Sequence, residues 1–167
     1  MATITSSLIG ANLNSSDATA LFALGTVVNT TDGGVYQYVE ATSTLITGAL
    51  VLIKPTGTGK VLTTAQLTGG SQGQLIAVAQ AQINQSEFGW VAMRGQNLYI
   101  LCTGTVTALA SGGAAFSTNS GRLQNAAACG VGSTAFGIWV TTSASVAAAS
   151  VARATLTFPH STQVIAG

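Results

Sequence analysis

Within KPTGTGKVLTT, the run Gly57-Thr58-Gly59-Lys60 poses the first chemical question of this sequence: a phosphate-binding loop, or the turn of a β-hairpin. A phosphate loop needs a Gly five residues ahead of the Gly-Lys pair and a Ser or Thr directly after the Lys, because backbone amides cradle the phosphates and the hydroxyl holds magnesium. Lys54 and Val61 stand in those places, so the run reads as a turn. The single histidine, His160, lies in FPHST close to the C-terminus and reads as a solvent-exposed residue rather than a catalytic base. Glu40 and Glu87 are the one conceivable glycosidase-type carboxylate pair, but the chain offers few of the charged and aromatic neighbours such sites use. One His and two distant cysteines, Cys102 and Cys129, make no metal cluster. They read as small buried side chains in a reducing compartment. The expectation is a protein that is not an enzyme and needs no cofactor.

The elements that would carry any site are set in an unusual composition. Of 167 residues, 47% are hydrophobic but only 5% are charged, against about 25% in typical soluble domains. Hydroxyl and amide side chains must therefore form much of the surface, and a net charge near zero favours association. The five basic residues, Lys54, Lys60, Arg94, Arg122 and Arg153, are scattered, so no stripe exists to neutralise a run of phosphates and nucleic acid is not expected as a partner. No membrane span is expected either: the long uncharged stretch from Leu123 to Val151 is too rich in Gly, Ser, Thr and Asn. Residues 1–22 have neither the basic residue nor the continuous apolar core of an export signal.

From Gly25 onward the pattern is short strands and turns. Val27-Val28, Asp32-Gly33-Gly34 and Val35 to Val39 read as a hairpin. Further strand-like runs fall at Ala49–Ile53, Val61–Thr63, Leu75–Ala81, Gly89–Arg94, Leu98–Cys102, Gly137–Thr142 and Val151–Phe158. Their spacing predicts an all-β fold, a small β-sandwich or β-barrel of short antiparallel strands. A weak internal repeat aligns Gly59-Lys60-Val61 with Gly121-Arg122-Leu123 and Leu75-Ile76-Ala77 with Gly137-Ile138-Trp139, displaced by roughly 62 residues. The second copy, STNSGRLQ, could never be a phosphate loop, so a shared turn geometry with Gly at positive φ is expected in both. The predicted organisation is an extended N-terminal arm over 1–20, a β-rich body over 21–160 and a tail over 161–167. Ile4, Leu8, Ile9 and Leu13 are the apolar residues of the arm, and Phe88, Trp90, Tyr99 and Trp139 are aromatics of a core or a subunit interface.

At FALGTVVNTTDGGVYQYVEATSTLITGALV and SEFGWVAMRGQ the sequence resembles bacteriophage virion proteins, in particular head decoration (capsid cement) proteins. Gly25, the run Tyr36 to Ala41, Gly48 and Phe88-Gly89-Trp90-Val91 leading to Gly95 carry the likeness, which extends over about Phe22 to Pro159. Ala92 and Arg94 depart from it. The resemblance implies a small β-rich protein, made in the host cytoplasm and located on the virion. There it would bind the major capsid protein on the outer face of the assembled head, often as a homotrimer. Ile4, Leu8, Ile9 and Leu13 are then the expected capsid-binding residues. The alternatives are a head fibre, tail-tip or adaptor component, or a host-surface adhesive β-domain.

Overall fold

A strand that is apolar on both faces must be covered on both sides, and the longest strand among the described residues meets that demand by serving two cores. The computed structural model describes residues 11–63, 74–102, 113–116, 121–124, 134–140 and 150–162, and among them there are eleven strands and no helix. They are β1 (Ser16–Asp17), β2 (Val27–Asn29), β3 (Val35–Ala41), β4 (Leu50–Ile53), β5 (Thr58–Val61), β6 (Ile76–Ala79), β7 (Phe88–Cys102), β8 (Gly113–Phe116), β9 (Leu123–Gln124), β10 (Thr134–Val140) and β11 (Ser150–Thr162). The all-β class is as the sequence predicts.

The pairings close two circuits. β7 pairs with β6, β6 with β4, β4 with β5, β5 with β3, and β3 returns to β7. A second circuit runs from β7 through β11, β10, β8 and β9 and back to β7. The expected antiparallel arrangement needs one correction: β3–β5 and β7–β9 are parallel. These two parallel contacts occupy corresponding places, so the repeat seen in the sequence is a repeat of topology. β4, β5, β6 and β7 of the first unit answer to β8, β9, β10 and β11 of the second. The strand that answers to β3 is the end of β7 itself.

Period-two alternation then sorts the side chains. Val35, Val39 and Ala41 of β3, Val51 and Ile53 of β4, Ala77 and Ala79 of β6, and Val91 and Met93 of β7 form one buried cluster with Leu45 and Ile83. It fills the first circuit. Two strand glycines make room in it: a Cβ on Gly59 would lie 3.0 Å from Val51 Cγ1, and one on Gly89 would lie 2.6 Å from Ile83 Cδ1. Neighbouring residues on the other face, Tyr36, Tyr38, Leu50, Leu52, Ile76, Val78 and Trp90, join Leu98, Ile100, Cys102, Leu123, Ile138, Ala152, Ala154 and Leu156 in a second cluster. β4 and β6 are buried at every position for this reason.

Several boundaries differ from the sequence reading; β4, β6 and β10 shift by one to three residues, and three differences bear on the architecture. The runs Gly89–Arg94 and Leu98–Cys102 are one strand, since β7 continues through Gly95 to Asn97. The expected strand at Val61–Thr63 instead ends at Val61, where Leu62 turns to donate its N–H to the Leu50 carbonyl at 2.9 Å. β11 reaches Thr162, so two residues assigned to the tail belong to the sheet.

The opening motif is also placed. Lys54 to Gly57 form the β4–β5 turn, closed by Gly57 N donating to the Lys54 carbonyl at 2.9 Å, with Gly57 at φ 80°. Gly59 and Lys60 lie inside β5, in register with Ile53 and Leu52. The shared positive φ expected for Gly59 and Gly121 is therefore corrected: Gly121 has φ 65°, whereas in the first unit Gly57 supplies the left-handed residue. Gly121 links the two units, donating to the Leu62 carbonyl at 3.1 Å and accepting from Leu50 N at 2.8 Å.

A Cβ on Gly121 would sit 2.9 Å from the Leu50 carbonyl oxygen, in a conformation that already disfavours L-residues. Gly121→Ala is expected to cost about 2–3 kcal/mol in urea unfolding, combining a steric clash with a strained φ. Gly33→Asn, at φ 80° with nothing within 4 Å, is expected to cost under about 1 kcal/mol, because Asn tolerates this region. Equal costs would contradict the assigned role of Gly121.

Candidate functional site

β7 changes partners at Arg94. That residue is in register with Val35 of β3 and also with Thr157 of β11, and the two strands part company on either side of it. Beyond it Gly95 pairs with Leu156 and Leu98 with Ala154, so Gln96 and Asn97 together oppose Thr155 alone. This is a β-bulge, which bends a strand and re-aims its side chains. Gly95 has φ 154° and Asn97 φ 56°, the latter a conformation Asn accepts more readily than most residues.

The parting of the strands leaves a polar cleft of about 440 Å³. The bulge supplies Gln96 and Asn97, the β2–β3 turn supplies Asp32, the N-terminal segment supplies Asn14, and β11 supplies Arg153. Tyr36, Leu98 and Tyr99 complete the lining with Gln80. A smaller depression of about 130 Å³ adjoins it, sharing Asp32 and Gln96 and adding Arg94.

The cleft walls are fixed by hydrogen bonds. Gln80 donates from Nε2 to the Tyr99 carbonyl and accepts from Tyr99 N, both at 3.0 Å. Arg153 donates from Nη1 to the Asn97 carbonyl at 2.8 Å while its guanidinium lies 3.8 Å over the Tyr99 ring. Asp32 accepts from Thr30 Oγ1 and, more weakly, from Gly34 N at 3.4 Å. The Thr30 hydroxyl, seconded by that backbone N–H, holds the Asp32 carboxyl below its ordinary range, so it is anionic at neutral pH. Burial, aided by that charge, pushes the Tyr36 phenol up and keeps it neutral. The main cleft thus holds one carboxylate and one guanidinium amid amides and phenols.

The residues singled out from sequence have different fates. Leu13 is corrected: at 6% exposure it belongs to the protein's own core and cannot serve an external surface. Ser16 and Asp17 pair with Gly89 and Phe88 of β7, so the part of the arm from residue 11 is a strap over the body. Ile4, Leu8 and Ile9 lie outside the described residues, as do Cys129 and the side chains of Trp139 and His160. Trp90 is buried against Phe22 and Tyr38, with ring centroids 5.3 and 5.0 Å away, and Phe88 stacks on Tyr38 at 6.3 Å. Tyr99 stands apart, 42% exposed in the cleft. Sequence reasoning missed the cleft, although Gly95-Gln96-Asn97 inside an apolar strand is a bulge signal.

Compared with protein-family models, with curated proteins and with solved structures, the chain matches none.

Among the described residues, no group of three or more His, Cys, Asp or Glu side chains is placed to hold a metal ion. Burial pushes the Cys102 thiol up to about 11, the opposite of a reactive thiolate. Glu87 accepts from Ser16 Oγ at 2.5 Å and from Asn84 Nδ2 at 3.0 Å, and these bonds hold its carboxyl below the usual range. A general acid needs the reverse shift.

The Ser16–Glu87 bond ties the strap to the turn that leads into β7, which gives it a pH dependence. Glu87 has a folded pKa below its ordinary 4.5, so its contribution is fully present above that value and fades as pH falls through the lower folded value. Amides of residues 13–17 are expected to lose hydrogen-exchange protection below pH 4.5 before the rest of the sheet does. In Glu87→Gln the strap is expected to be looser at neutral pH and insensitive to acid. An unchanged acid response in that variant would contradict the assignment.

Proposed function

We propose that this protein is a structural component of a bacteriophage virion, a decoration protein that binds the outer face of the assembled head as a homotrimer and stabilises it. The resemblance of Gly25 to Ala41 and Phe88 to Gly95 to such proteins is one support. The observation that carries the reading is the edge formed by residues 21–29. β2 is the last strand in the sheet order, with β3 as its one partner among the described residues. Beside and on it, Leu21 (59% exposed), Leu24 and Val27 (45%) stand in solvent, with no charged residue between Leu21 and Asn29. Native proteins protect such an edge with charges, bulges or a partner. An edge of this kind accepts a strand from a shell subunit, main-chain hydrogen bonds giving affinity and alternate side chains giving register. Ile4, Leu8 and Ile9 extend the same attachment in this proposal. With so few charges available, the contact depends weakly on salt.

Binding the assembled shell alone stabilises that state by linkage, about 2.7 kcal/mol per independent site at a hundredfold excess over the dissociation constant. The test is to strip particles, add back purified protein at low and high ionic strength, and record occupancy and the temperature of genome release. Full occupancy at both ionic strengths with a raised release temperature is expected. Val27→Lys, at an exposed position, is expected to abolish decoration while changing stability by no more than about 0.5 kcal/mol. Unchanged release temperature at full occupancy would overturn the stabilising role, and full decoration by Val27→Lys would overturn the edge as the attachment surface. Sedimentation of the free protein and subunit counting on the particle test the trimer, which a monomer in both settings would refute.

A further inference from the structure

The cleft at the β7 bulge has no part in attachment through β2, and its construction calls for its own account. We propose that it is a binding site for a neutral oligosaccharide.

The argument begins with the backbone. A sheet strand that exchanges one partner for another could pass between them without a bulge. Here one extra residue is inserted, so that Gln96 and the left-handed Asn97 together oppose Thr155, and both line the cleft as a result. Asn is among the few residues that adopt this conformation readily, so the bulge is held at little cost. The walls are then made rigid by the side chains of two of the lining residues. Gln80 clamps the Tyr99 backbone, and Arg153 clamps the Asn97 carbonyl. Tyr99, held from both sides, keeps its ring 42% exposed.

The chemistry of the lining selects the ligand class. Asn14, Gln96 and Asn97 carry side-chain amides, each with two donors and an acceptor, and Asp32 adds an anionic acceptor. A row of sugar hydroxyls, each both donor and acceptor, matches that set, while the C–H groups of the ring match the part of the Tyr99 ring that Arg153 does not cover. Asp32 and Arg153 balance in charge, which disfavours a strongly anionic ligand. The lining is too polar for an apolar peptide side chain, with Leu98 the one aliphatic residue in it. About 440 Å³ lies within the roughly 300–1,000 Å³ of small-ligand pockets.

The test titrates the full-length protein with maltotriose, cellotriose and triacetylchitotriose, with sialyllactose as the anionic comparison, observed by saturation-transfer NMR and by shifts of Tyr99 and Asn14 resonances. At least one neutral trisaccharide is expected to bind with a dissociation constant near or below about 1 mM, an ordinary strength for a few net hydrogen bonds and one ring contact. Gln96→Ala and Tyr99→Ala are each expected to weaken it about tenfold. Gln96 is exposed, so that variant is expected to keep the wild-type melting temperature; Tyr99→Ala, which also loses the Arg153 contact, is expected to melt lower but to stay folded, and Lys54→Ala, on the distant β4–β5 turn, is expected to leave binding unchanged. Failure of all three neutral sugars to bind below about 10 mM would overturn the proposal. So would unaltered affinity in both cleft variants, or tighter binding of sialyllactose than of every neutral sugar. None of these outcomes depends on whether the protein decorates a capsid.

Discussion

One strand with two buried faces is the constraint on which the rest depends. Val91 and Met93 of β7 point into the first circuit, whereas Trp90, Leu98, Ile100 and Cys102 point into the second cluster. β7 therefore completes one unit and begins the next, and neither circuit closes without it. The same sharing explains the low charge of the central strands, since no position on β4 or β6 meets solvent and a buried charge is costly unless it is paired. It also explains Gly59 and Gly89, which clear space where strands close on a narrow interior.

The polar features follow from the same geometry. Because β7 must leave β3 and join β11 in mid-strand, the sheet opens at Arg94, and the bulge at Gln96 and Asn97 takes up the difference in register. The cleft is the space so left. The N-terminal strap closes the outer face nearby, with Phe22 against Tyr38 and Trp90, Leu13 in the same core cluster, and the Tyr38 hydroxyl accepting from Leu21 N at 3.2 Å. The chain then emerges at the apolar edge of Leu21, Leu24 and Val27. One surface is apolar and edge-like and the other is concave and polar, so they suit partners of different chemistry.

Much of the fold was legible in the sequence because it rests on local rules. The Asp32-Gly33-Gly34 hairpin is found with Val28 opposite Tyr36 and Gly33 at φ 80°. The repeat was visible because glycines and apolar runs recur at matching positions, and its topological meaning rests on long-range pairings that no local pattern states. That β7 is shared could not be read from Gly89–Arg94 and Leu98–Cys102, since a polar interruption with a Gly looks the same whether it is a loop or a bulge. The burial of Leu13 was hidden for a related reason: one apolar residue among Ser and Asn has no period, and its pocket is made by strands far away in sequence. The cleft was illegible because its residues come from five segments, which meet through the partner exchange alone.

Native-state hydrogen exchange tests the central claim, that one shared strand makes the two units a single cooperative structure. Amides of Val39 and Val91 in the first circuit should open with the same free energy as those of Ile100 and Ala154 in the second, within about 1 kcal/mol, because losing β7 dissolves both cores together. Opening of β11 at a free energy several kcal/mol below that of β3, with the first circuit still protected, would contradict the account.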